Sequence, residues 1–189
     1  MRPILPTLAF LALACTAHAA PVADPAAPVI AFHQGLSALT PADPAADRRL
    51  VKRLTGRTFD MEAMARAVLG DQAARATPAQ RARLEAVCVN LITREIEKDA
   101  TAGPGGVMTV VKVTPMRSGD EWVVATRTVR GKSTGTLAWR VRAEAGGPRI
   151  IDVLRAGSSL TAVEAARIQG DLHTRGIDFV IGELEKKAN

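Results

Sequence analysis

The stretch VMTVVKVTPMRSGDEWVVATRTVRGKSTGTLAWRVRAEAGGPRIIDVL, residues 107–154, decides the fold. Four runs rich in β-branched residues (107–115, 121–130, 133–142 and 149–154) are divided by Ser118-Gly119-Asp120, Gly131-Lys132 and Ala145-Gly146-Gly147-Pro148. Such runs between turn residues read as strands. Parallel neighbours need crossovers of a dozen or more residues, so these short connections predict an antiparallel meander. Val111, Val113, Val124, Leu137, Trp139, Val141, Ile151 and Val153 are spaced so that most can share one face, with hairpin register deciding which. If Gly131 pairs with Thr134, Trp122 and Val124 join Leu137, Trp139 and Val141 on one side. Arg127, Arg140 and Arg142 then gather on the other.

Before the sheet the period changes to that of helices. Residues 28–39 fit a short helix, broken by the prolines at 41 and 44, and a second spans 45–54 with Arg48, Arg49, Lys52 and Arg53 on a solvated face. Asp60 opens a third, in which Met61, Met64, Ala65, Val68 and Leu69 recur at helical spacing and Gly70 is the stop. Thr77-Pro78-Ala79-Gln80 combines a capping box with proline at the first helical position. The helix it starts carries Leu84, Val87, Cys88, Leu91 and Ile96 on one side and runs to about residue 99. After the sheet, Thr161 with Glu164 reads as another capping box, opening a helix to about residue 174, and a last helix spans 178–187 beyond Gly176. Helices, a four-stranded sheet, then helices make an α+β fold with helices over one face of a twisted sheet.

The chain has 189 residues, 47% hydrophobic but only 3% aromatic, with no Tyr and a formal charge of +6. This composition argues against a disordered, collagen-like or disulfide-rich protein and suits one domain. Residues 1–19 read as an export signal: Arg2 precedes an apolar stretch at 4–14, and Ala17-His18-Ala19 supplies the small residues of a cleavage site. Residues 20–28 then form a disordered leader, and 29–189 a single domain. No later stretch approaches the ~20 apolar residues of a transmembrane helix. Cys15 follows Ala12-Leu13-Ala14, the reverse of the usual lipobox order, which argues against lipidation. Only Cys88 remains after cleavage, so stability comes from packing and not from an intrachain disulfide. A basic exported chain suits anionic headgroups or acidic partner surfaces better than nucleic acid.

Catalytic patterns are weak. Gly131-Lys132-Ser133-Thr134-Gly135 satisfies G-x-S-x-G, and Asp152 and His173 follow in hydrolase order. A nucleophile elbow, however, sits between a strand and a helix, whereas this pentapeptide joins two antiparallel strands. Nor is it a phosphate-binding loop, because Thr126 stands where that motif needs glycine. His33 and His173 have no second metal ligand at characteristic spacing, and Cys88 reads as a small buried hydrophobe. The basic cluster Arg48, Arg49, Lys52, Arg53 and Arg57 is either a solvated helix face or a dock for anionic headgroups. What the sheet offers is apolar surface, which serves either as filled core or as the wall of a cavity for an apolar ligand.

Four segments, in order, resemble the MlaC or toluene-tolerance family of periplasmic phospholipid-binding proteins. They are Phe59-Asp60-Met61-Glu62-Ala63-Met64-Ala65-Arg66-Ala67-Val68-Leu69-Gly70, Ala76-Thr77-Pro78-Ala79-Gln80-Arg81, Ile151-Asp152-Val153 with Gly157-Ser158-Ser159-Leu160, and Gly176-Ile177-Asp178-Phe179-Val180-Ile181 with Leu184-Glu185-Lys186-Lys187. The resemblance implies an NTF2-like curved sheet and a helical layer enclosing an acyl-chain pocket. Its expected lining is Val68, Leu69, Leu84, Val87, Leu91 and Leu160 from the helical side with Val111, Val113, Trp122, Val124, Leu137, Trp139, Val141, Ile151 and Val153 from the sheet. It further implies a monomeric periplasmic carrier exchanging phospholipid with an inner-membrane ABC transporter complex and an outer-membrane lipoprotein complex, with transient membrane contact and no cofactor or catalytic residue. At positions where the family carries aromatics this chain has Ala73-Ala74, Leu84, Ile96 and Glu164-Ala165, which predicts a roomier pocket. Two other readings compete: a small hydrolase or isomerase using Ser133, Asp152 and His173, and an interaction module with a filled core.

Overall fold

A computed structural model describes residues 24–40, 42–99 and 103–188. The expected export signal and the first residues of the expected leader lie outside them. Helix α1 (Ala27–Leu36) begins inside the stretch read as leader, with Ala26 and Pro28 already buried and the Asp24 carboxylate accepting from the Ala26 N–H at 2.9 Å. Then come α2 (Pro44–Thr58), four residues longer at its C-terminal end than expected, and α3 (Met61–Leu69). Asp60 caps α3 as read, accepting from the Ala63 N–H at 2.8 Å. A short 3₁₀ turn (Gly70–Arg75) leads to α4 (Pro78–Lys98), where both hydrogen bonds of the Thr77–Gln80 capping box are present.

The sheet consists of β1 (Val107–Pro115), β2 (Glu121–Arg130), β3 (Ser133–Arg142), β4 (Arg149–Arg155) and β5 (Ser158–Ser159), all antiparallel in the order of the chain. It therefore has five strands, not four. The fifth is two residues long and returns through Ala156 and Gly157, whose φ values of +50° and +81° are those of a tight hairpin turn. Alanine is not a residue that advertises that conformation. The β2–β3 register also differs from the expected one: Arg130, not Gly131, closes the hairpin, opposite Ser133. A shift of two residues preserves parity, so the face groupings survive. Trp122, Val124, Leu137, Trp139 and Val141 share one side. On the other, Arg127 is exposed, Arg140 pairs with Glu121 at 2.6 Å, and Arg142 pairs with Asp60 at 2.8 Å.

Helix α5 (Leu160–Arg175) and α6 (Ile177–Ala188) complete the chain. The expected Thr161–Glu164 capping box is not how α5 starts. Ser159 is the cap, accepting from the Ala162 N–H at 3.0 Å, and Glu164 is drawn into ion pairs instead. Helices α1, α3 and α5 all touch β4, while α4 packs against α2, α3 and α6. Close approach has local causes: at Gly35 a Cβ would lie 2.2 Å from a Leu54 methyl, so glycine lets α1 and α2 meet. Between α1 and the sheet, Phe32, Phe59 and Trp139 meet edge to face at centroid separations of 5.0, 6.0 and 6.3 Å. The Trp139 indole N–H donates to the Thr126 hydroxyl at 2.9 Å, so its polar atom is satisfied inside the core.

Candidate functional site

The helical spacing that buries one stripe of α3 and one of α4 turns Met64 and Val68 toward Cys88, Leu91 and Ile92. The start of α5 adds Leu160 and Thr161. These residues line a mainly apolar cleft of about 90 Å³ whose rim holds Arg94 and Glu95 of α4, Glu164 of α5 and Lys187 of α6. Glu164 is buried, with its side chain only 10% exposed. Its carboxylate accepts from the Arg167 guanidinium, with Nε at 3.0 Å, and from Lys187 Nζ at 3.1 Å. Burial alone would raise the carboxyl, but the hydrogen bonds and charges of Arg167 and Lys187 outweigh it and hold Glu164 below its ordinary value. The pair with Lys187 thus joins α5 to the end of α6 beside an apolar floor.

Cys88 lies in that floor. Burial first, then the negative charges of Glu164 and Glu85, push its thiol up to about 12. It stays protonated at neutral pH and serves as a small apolar side chain.

Of the residues expected to line a pocket, Val68, Leu91 and Leu160 reach the cleft. Leu69, Leu84 and Val87 are buried among the helices, and Val124, Trp139 and Val141 in the core against the sheet. Leu137 and Val153 pack on that core half-buried, as Trp122 is half-buried at its end of β2. Ile151 is buried outside this core, where the β3–β4 register shifts between Arg140 and Val141. Val111 and Val113 stand 64% and 39% exposed, and do not join the apolar interior. Their strand is an edge, and its register shifts between Val110 and Lys112, which makes Val111 an unpaired bulge residue.

Sequence reasoning missed the polar half of the cleft. Met64 and Ile92 carried a helical-period signal, but Glu164 and Lys187 are 23 residues apart on different helices, and Arg94 lies on a third. Ala73 and Ala74, where bulk was expected to be missing, border a separate surface recess of about 550 Å³ between α3, the 3₁₀ turn and α4.

Ser133, Asp152 and His173 are engaged separately. Ser133 is exposed at the tip of the β2–β3 hairpin, and the His173 ring nitrogen lies 2.8 Å from the Gln169 carbonyl on an exposed face of α5. The Asp152 carboxylate is buried and accepts from the Ser159 hydroxyl and the Val153 and Thr161 N–H groups, tying β4 to the start of α5. His33 lies 3.2 Å from the Gly106 carbonyl, and no cluster of metal-ligating residues occurs among the described residues.

Comparison with solved structures finds the same fold in the phospholipid-binding protein from Ralstonia solanacearum, determined in complex with a phospholipid. The match has a TM-score of 0.73 at 17% sequence identity and covers 88% of this chain and 97% of that one. No curated protein is a significant match in sequence. The model of the family described as MlaC protein matches residues 29–186, which takes in three of the four segments that carried the resemblance whole and the fourth up to Lys186, and the chain belongs to the MlaC family.

Proposed function

We propose that this protein is a periplasmic carrier that shelters the acyl chains of a phospholipid and moves it between the outer and inner membranes. Its exchange partners would be the lipoprotein complex and ABC transporter complex that family membership implies. The observation that carries this reading is the cleft among α3, α4 and α5, where an apolar floor meets a rim of Arg94, Lys187 and Glu164. Such a site matches a molecule with hydrocarbon at one end and a charged headgroup at the other. The Ralstonia solanacearum protein, whose fold this chain shares, was solved with a phospholipid bound. Residues 1–19 carry the features of an export signal. No described helix is long and apolar enough to cross a membrane.

The free-energy scale favours a carrier. Each methylene buried from water contributes ~0.8 kcal/mol, so an acyl chain does not leave a bilayer quickly without an apolar receptacle. The cleft at about 90 Å³ is smaller than the ~150 Å³ cavity that holds a benzene molecule. An acyl chain therefore enters only if α5 swings away from α4 and the end of α6. Parting requires Glu164 to release Lys187, and Lys187 would then be free to meet a headgroup phosphate. Gly176, at φ +82° between α5 and α6, lies at the joint where such a movement would be absorbed. Nothing in this binding cycle calls for a catalytic group or a cofactor.

Native mass spectrometry and lipid extraction of the purified protein test the reading. Co-purified phospholipid, or uptake of one from vesicles, is the expected result. A protein that is consistently lipid-free and takes up none overturns it.

A further inference from the structure

Helix α2 presents Arg48, Arg49, Lys52, Arg53 and Arg57 to solvent, while its apolar Val51 is buried. Among the described residues only Arg48 of these five has an ion-pair partner, Glu97 at 3.0 Å. A groove of about 300 Å³ runs between α2 and α4, with Arg48, Arg49 and Lys52 on one bank and Arg94 on the other. Arg94 belongs to two features at once: it borders this cationic groove and also the rim of the apolar cleft. The basic face and the cleft mouth are therefore contiguous across a single side chain.

We infer that the outer face of α2, extended by Arg94, is an electrostatic docking surface for an anionic bilayer, which it holds against the mouth of the cleft. The occupant follows from what the face has and lacks. Tight protein–protein interfaces are anchored by a desolvated aromatic or aliphatic centre. The outward positions of α2 offer only cations among small residues. A headgroup layer, by contrast, supplies dense negative charge with no fixed geometry to match. Without an apolar anchor the helix does not insert, so contact is reversible and salt-sensitive, as a carrier that must leave again requires. The purpose given to docking rests on the lipid-binding reading of the cleft, whereas docking itself needs no bound lipid.

Co-sedimentation of the purified protein with vesicles tests this. One set is phosphatidylcholine alone, and the other mixes phosphatidylcholine and phosphatidylglycerol in roughly equal parts. The protein should sediment only with the anionic vesicles and be released as salt is raised from about 0.1 M to about 1 M, where the Debye length shrinks from roughly 10 to 3 Å. Each cation near such a surface is worth roughly a fivefold change in partitioning, so combining Arg49→Glu, Lys52→Glu and Arg53→Glu should reduce it by more than roughly a hundredfold. A control combining Arg117→Glu, Arg127→Glu and Lys132→Glu, at exposed sites on the sheet side, makes the same change in net charge and should retain most binding. Equal loss in both variants, no loss in the α2 variant, or wild-type indifference to phosphatidylglycerol overturns the proposal. So does capture by an acidic protein without vesicle binding. All variants alter exposed residues and should melt like the wild type. A lipid-free protein that still docks would remove the cargo reading and leave the docking face standing.

Discussion

Two apolar regions of this molecule are filled by different means. Between α1 and the sheet, Phe32, Phe59 and Trp139 interlock with centroids 5.0 to 6.3 Å apart, and the Trp139 N–H is matched by a hydroxyl. At the α3–α4–α5 junction no aromatic ring takes part. Met64, Val68, Leu91, Ile92 and Leu160 border a gap closed off by charged side chains. The chain has six aromatic residues, and three of them stand in the one cluster beside the sheet. Rings with two torsions fix the frame, whereas aliphatic chains and a methionine border the cleft. Rigid bulk and a yielding aliphatic wall are thus separated in space.

The contrast is broken most severely by Trp139→Ala. It removes the largest ring of the sealed region and leaves a cavity, for an expected loss of about 3–5 kcal/mol in denaturant unfolding. For a domain of this size that lowers Tm by on the order of 10 °C. Lipid content per folded molecule should be unchanged, because the cleft is built from other side chains.

Leu91→Trp probes the other region by filling it. Overpacking typically costs about 1–3 kcal/mol, while co-purified lipid measured by extraction should fall sharply. Lipid retention equal to that of the wild type would mean that the cleft is not the acyl-chain entrance.

Glu164→Gln tests the rim and is expected to cost about 1 kcal/mol at neutral pH, modest because Arg167 and Lys187 are nearly half exposed. The sign of its pH dependence follows from the depressed carboxyl. Stability from the ion pairs is fully present above the unfolded-state value and is lost as pH falls through the lower folded-state value. Wild type and variant should therefore differ at neutral pH and converge in acid. Uptake of lipid from vesicles should also be faster in the variant, since the α5–α6 tie is weaker. The smallest effect belongs to Lys186→Ala, which removes an exposed pair with Glu183 and should leave the denaturant unfolding midpoint unchanged.

Much of the frame was legible in the chain because its signals are local. The Thr77–Gln80 capping box, the Asp60 cap and the four long strands lie within a few residues of where pattern placed them. Face assignment in β2 and β3 survived an incorrect hairpin closure because a two-residue slip leaves every side chain on its own side. What failed was long-range or atypical. Val113 has the right alternation but lies on an edge strand and stands 39% exposed, outside the apolar core. Thr161 and Glu164 have capping-box spacing, yet Ser159, the last residue of β5, directly precedes α5 and takes the role.

By itself, then, the sequence determined the order and kind of the main elements, the two faces of β2 and β3 and the basic surface of α2. Each depends on periodicity or capping within one segment. Only the tertiary structure decided that aromatic bulk gathers beside the sheet, and that Glu164 meets Lys187 over an apolar floor. It also decided that Arg94 links that floor to the cationic face. Those are contacts between separate elements, set by how whole faces pack, and no local spacing encodes them.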